Sequence, residues 1–180
     1  EIKPVRIEYY LNGEPFVTAS GYAAIEQEYD DAGRIILARY FNENGEKTLL
    51  SGGYHYYTQV YGEDGFVASL AYFGLNGEPV INSQTKYHRI DRTWLDKDHV
   101  ISQTWYDEND APMAVGNTYC RIEREVDEKK NTIRGTYFDG AGAPIACKDG
   151  YAELRQGFNE KNQVARQEFY LSGAPVLNNL

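Results

Sequence analysis

A tyrosine returns along this chain at a nearly fixed interval, and that interval constrains the fold more than any other property. Tyr22, Tyr54, Tyr87, Tyr119 and Tyr151 are separated by 32, 33, 32 and 32 residues. Seven positions after each stands Tyr29, Tyr61, Trp94, Val126 or Phe158. Eleven further on comes a pair: Tyr40 with Phe41, Tyr72 with Phe73, Trp105 with Tyr106, Tyr137 with Phe138, Phe169 with Tyr170. Tyr9 and Tyr10 form the same pair ahead of the first full unit. Self-similarity at a fixed period means that one supersecondary unit is built again and again and buries its apolar surface against its neighbours. The expected organisation is a truncated unit at 1–20 and five units at 21–52, 53–85, 86–117, 118–149 and 150–180, all one repeat domain.

Within a unit the pattern is that of a β-hairpin. Between Tyr22 and Tyr29 the side chains alternate, with Ile25 and Tyr29 on one face and Glu26 and Glu28 on the other. Residues 30–33 end in Gly33, which supplies the positive φ of a tight turn. Residues 34–41 are rich in β-branched and aromatic side chains, as a strand requires. In later units Asp98, Lys130 and Asn162 take the place of that glycine, and lysine is the least suited, so the turn at 127–130 is expected to be the least ideal. A second turn carries Gly13, Gly45, Gly77, Gly142 or Gly173, with Asp110 in the third unit. Two residues later come Pro15, Pro79, Pro112, Pro144 and Pro175, five of the chain's six prolines. A residue without an amide hydrogen marks loop or sheet-edge backbone. No segment holds an apolar period of 3.6, so the fold class is all-β: about eleven strands, two per unit plus a leading one at 6–10, in an extended, solenoid-like hairpin array.

Of the 25 aromatic residues (16 Tyr, 7 Phe, 2 Trp), 21 fall in these four columns. Aliphatics are sparse, so the rings must supply much of the buried surface. That core role is the plain reading of any one ring.

Composition narrows the function. A formal charge of −9 argues against binding nucleic acid through its phosphates. No apolar run approaches the ~18–20 residues of a membrane span, and no signal peptide is evident. The chain opens at Glu1 without methionine and reads as a piece of a longer protein. Cys120 and Cys147 are too few for a disulfide framework, and whether they pair is left open. His55, His88 and Cys120 share one column directly after the tyrosine. Stacked at a strand spacing of about 4.8 Å they could hold a metal; on hairpins lying side by side they would stand roughly 9–10 Å apart and could not, so no metal is expected. Acidic turns such as 107–110 lack the spacing of a calcium loop. No phosphate-binding glycine loop, hydrolase triad or isolated carboxylate pair is present, so neither enzyme activity nor a cofactor is expected.

What remains is the regular array of rings. Tyrosine and tryptophan faces pack on sugar C–H groups and attract cations, and a phenol keeps a donor for sugar oxygens. One shallow groove binds weakly, but several along a polymer bind usefully through effective concentration. The candidate contacts are Tyr72, Tyr87, Trp94, Trp105, Tyr106 and Tyr119, from the central units.

The segment YYLNGEPFVTASGY at 9–22 resembles the choline- and glucan-binding repeats of Gram-positive surface proteins. Those are hairpins wound into a solenoid that holds choline or glucan between aromatics of neighbouring repeats. The unit here is 32 residues rather than about twenty, and tyrosine stands where those repeats lead with tryptophan. EYDDAGRI at 28–35 is similar to YD-type (Rhs) repeats, which build β-sheet shells. Alternation of the two motifs resembles tandem arrays attached to bacterial glycosyltransferases and teichoic-acid glycerophosphotransferases. The resemblance implies a non-catalytic module that binds cell-wall polysaccharide or teichoic acid at the bacterial envelope or surface, or at the cytoplasmic membrane face if attached to a transferase. The alternative is a spacer or protein-docking scaffold, in which all four columns are core.

Overall fold

Two-residue alternation broken by positive-φ turns leaves the backbone little choice but antiparallel hairpins, and the computed structural model has that form. It describes residues 5–177, and every regular element among them is a strand. No helix among the described residues is long and apolar enough to cross a membrane. The chain divides into two compact units, one running to Ile90 and including Asp107–Asp110, the other made of Asp91–Tyr106 and the chain from Ala111 onward.

In the first unit β1 (Val5–Glu8) is followed by a two-residue hairpin, β2 (Tyr10–Leu11) and β3 (Glu14–Pro15). Then come β4 (Ala24–Tyr29), β5 (Ile35–Phe41), β6 (Tyr56–Tyr61) and β7 (Val67–Phe73). The antiparallel sheet order is β1-β4-β5-β6-β7. In the second unit β8 (Arg89–Asp96) enters from the first and leads to β9 (His99–Tyr106), β10 (Arg121–Val126), β11 (Thr132–Phe138), β12 (Glu153–Phe158), β13 (Val164–Leu171) and β14 (Ala174–Val176). Neighbours in sequence are neighbours in the sheet from β9 to β14. Among the described residues fourteen strands therefore replace the expected eleven: the leading strand ends at Glu8, and β2, β3 and β14 are additional. These three are short edge pieces around the second turn, too brief for alternation to reveal.

Four hairpins, β4–β5, β6–β7, β10–β11 and β12–β13, share one register. Ile25 faces Tyr40, Tyr57 faces Tyr72, Ile122 faces Tyr137 and Leu154 faces Phe169. Each ladder slips by one residue just before the turn, at Glu28/Tyr29, Val60/Tyr61, Glu125/Val126 and Gly157/Phe158. An extra residue of this kind accompanies a type I turn closed by a left-handed residue. Gly33, Gly65, Lys130 and Asn162 are that residue, with φ of 78°, 82°, 67° and 62°. The lysine turn keeps the same bonds as its glycine counterpart: the amide of Lys130 donates to the Asp127 carbonyl (2.9 Å) as that of Gly33 donates to Asp30 (2.9 Å). The aspartate at the head of both these turns explains this tolerance. The Asp127 carboxylate accepts from the Lys129 and Asn131 amides, as Asp30 does from Ala32 and Arg34, and holds the turn closed whatever follows.

After the second turn the chain folds back for one further bridge. Phe41 pairs with Lys47, Phe73 with Pro79, Tyr106 with Pro112 and Phe138 with Pro144. The residue after each bridge then donates its amide to the carbonyl of the first ring of the pair: Thr48 to Tyr40, Val80 to Tyr72, Met113 to Trp105, Ile145 to Tyr137. Proline fits because only its follower needs to donate.

Candidate binding surfaces

Consecutive residues of a strand point to opposite faces, so each aromatic pair sends one ring to either side of its sheet. The first rings join the tyrosine column to make a continuous stack. In the first unit Tyr9, Tyr22, Tyr40, Tyr54, Tyr72 and Tyr87 follow one another with centroids 5.7, 4.9, 6.1, 4.8 and 6.0 Å apart. In the second unit Trp105, Tyr119, Tyr137, Tyr151 and Phe169 do the same at 5.9, 4.6, 5.9 and 4.8 Å. Tilted and edge contacts at these distances are the preferred geometries of aromatic pairs, each contributing about 0.5–1.5 kcal/mol beyond area burial. Beneath the first stack lie Ile25 and Ala38, the latter with no exposure at all.

Of the six candidate contacts, Tyr72 and Tyr87 adjoin each other in the first stack and are each 7% exposed. Trp105 and Tyr119 adjoin in the second and are half-buried. Trp94 lies on β8 with the Arg92 guanidinium 5.8 Å from its ring centre. Tyr106 projects to the face opposite Trp105 and is half-buried. In both units the stack mixes sealed rings (Tyr40, Tyr72 and Tyr87 in the first, Tyr151 in the second) with half-buried ones, Trp105 and Tyr119 among the latter.

Burial raises the pKa of several of the stacked phenols. Desolvation pushes Tyr72 up to about 12 and lifts Tyr40, Tyr137 and Tyr119 as well. Each therefore keeps its proton at any physiological pH and remains a hydrogen-bond donor.

The opposite face carries the second rings under cations. Arg6 covers Phe41 at 4.6 Å, Arg121 covers Phe138 at 4.2 Å and Arg155 covers Tyr170 at 4.3 Å, while Tyr56 stacks flat on Phe73 at 4.8 Å. A lattice of ion pairs surrounds them. Arg39 meets Glu28 (2.6 Å), and Arg134 bridges Glu125 (2.9 Å) and Glu153 (2.7 Å), which also accepts from Arg155 (2.5 Å). These cation–ring covers were missed in the sequence. The signal available was an arginine opposite or diagonal to the second ring, legible only once register is known.

His55 and His88 turn their rings edge-on to Phe41 and Phe73, at 5.6 and 5.3 Å, and both are buried. The Nδ1 of His55 lies 3.3 Å from the Thr48 carbonyl, and desolvation holds its pKa below the usual imidazole value. No group of three or more metal-ligating side chains occurs among the described residues. Cys120 and Cys147 are both buried, free thiols.

Compared with protein-family models and with curated proteins, the chain shows no significant match.

Proposed function

We propose that this chain is a non-catalytic module that binds a cell-wall polymer (a glycan, a teichoic acid or a choline-substituted chain) as part of a larger bacterial envelope protein. The finer architecture belongs to the same reading: hairpins of period ~32 in an extended, solenoid-like array. The observation that carries it is the second-unit stack, in which Trp105 and Tyr119 lie side by side, half-buried, with protonated phenols nearby. A polymer lying along such edges gains dispersion contacts and hydroxyl hydrogen bonds at several equivalent places. Net negative charge favours an uncharged or amine-substituted chain over a bare polyphosphate.

The second reading, a spacer or docking scaffold, is favoured by the sealed rings of both stacks, Tyr40, Tyr72, Tyr87 and Tyr151. Co-sedimentation with Gram-positive sacculi, before and after chemical removal of teichoic acid, separates the two. Binding lost in Trp105→Ala with unchanged circular dichroism supports the polymer reading; no binding to either preparation supports the scaffold.

A further inference from the structure

The charged face of the second unit contains a concavity of about 400 Å³. That size falls within the ~300–1,000 Å³ of small-ligand pockets. Its walls include Glu123, Glu125 and Glu153, with Arg134 between the last two, and Phe138. Ser102 and Thr136 add hydroxyls.

The register relates this hollow to the first full hairpin of the first unit. In the first unit Arg39 of β5 pairs with Tyr56 of β6. Thr136 of β11 pairs in the same way with Glu153 of β12, both residues 97 positions later in the chain. Arg39 lies along the face to reach Glu28, and Tyr56 lies flat on Phe73, so that place is filled there. A threonine and a glutamate leave that space open. The carboxylate corresponding to Glu28, Glu125, is met instead by Arg134 from one side.

The electrostatics select among ligands. Each carboxylate already has a guanidinium: Arg121 for Glu123 (3.2 Å), Arg134 for Glu125, and Arg134 with Arg155 for Glu153. Arg124 also lines the hollow, so its charges nearly balance and neither an anion nor a cation is favoured. A ligand rich in hydroxyl groups needs no charge of either sign. Ion-paired carboxylates retain lone pairs that accept from hydroxyls, Ser102 and Thr136 donate or accept, and Phe138 offers apolar surface to C–H groups.

We propose that this hollow binds a short stretch of neutral sugar, with Glu123, Glu153 and Thr136 contacting its hydroxyls. The inference rests on the polymer-binding reading but places the grip on the face away from the aromatic stack. The test is calorimetric titration of the whole chain with tetrasaccharides of glucose and of N-acetylglucosamine, for wild type, Thr136→Arg and Glu123→Gln. Thr136→Arg places in the hollow the side chain that Arg39 supplies at the equivalent place, and Glu123→Gln replaces one contacting carboxylate by an amide of the same shape. Binding of at least one tetrasaccharide, weakened at least tenfold by each variant, is expected. Full affinity in both variants overturns the assignment. So does wild-type binding to sacculi without any to either tetrasaccharide, an outcome that leaves the polymer reading standing. Binding to neither removes both.

Discussion

Asn131 and Asn162, in the tight turns of successive hairpins of the second unit, exchange two side-chain amide hydrogen bonds, at 2.7 and 3.1 Å. Asn131 also donates to the Asp127 carboxylate, so one amide ties its own turn together and joins it to the next. Removing it leaves three acceptors or donors to water rather than to protein. Asn131→Ala should lower unfolding free energy by about 1 kcal/mol, the net contribution of exchanging such bonds for water. Asn162→Gly keeps the left-handed backbone and loses only the pair, so it should cost less. Urea denaturation of the two variants measures the difference.

Lys86 adopts φ of 69° in the connection ahead of Tyr87, where its amide donates to the Asn82 carbonyl (2.7 Å). A side-chain-bearing residue in that region costs roughly 1 kcal/mol relative to glycine. Lys86→Gly should therefore raise the melting temperature by a few degrees, against the usual direction of glycine substitutions. Differential scanning calorimetry checks it.

The stack is the core of each unit, so its rings should dominate stability. Tyr40→Ala should cost ~3–5 kcal/mol, as large aromatic truncations do. Tyr40→Phe, which keeps the ring contacts to Tyr22, Tyr54 and Tyr57, should cost far less. Chemical denaturation of both variants separates ring packing from phenol bonding.

His55 supplies an acid sensitivity. Its folded-state pKa lies below the ordinary 6.5, chiefly through desolvation, with Lys47 and Arg39 acting in the same direction. Above pH 6.5 the ring is neutral in both folded and unfolded chains and has no effect on the balance. As pH falls below that value the unfolded chain takes up the proton first, and stability declines until the folded-state pKa is passed. His55→Cys, which adopts the residue seen at Cys120, should flatten the fall in melting temperature between about pH 6.5 and 5. A melting series across that range is the measurement.

Much of the hairpin geometry was legible before any coordinates. Gly33 and Asn162 announced their turns because positive φ restricts the choice of residue, and Ile25 against Glu26 announced two faces because strand side chains alternate. The fold-back bridges at Pro79, Pro112 and Pro144 were legible only as proline outside a central strand, since one bridged residue has no periodicity to display. Which face seals was harder. Both faces carry rings at every hairpin, and the covers on one of them are arginines such as Arg121 and Arg155, whose charge reads as solvent-facing until their stems and planes are placed over Phe138 and Tyr170. The hollow beside Thr136 was invisible for a related reason: it is made by what Arg39 and Tyr56 do in the other unit and smaller side chains do not.

The polymer-binding account is tested most directly by amide shift mapping, adding a soluble neutral wall polysaccharide to the isotopically labelled chain. The account predicts perturbations concentrated in the second unit, around Trp105, Tyr119 and the strands β10–β12, saturating with concentration. A spectrum unchanged at millimolar sugar, or one shifted uniformly across both units, would contradict it.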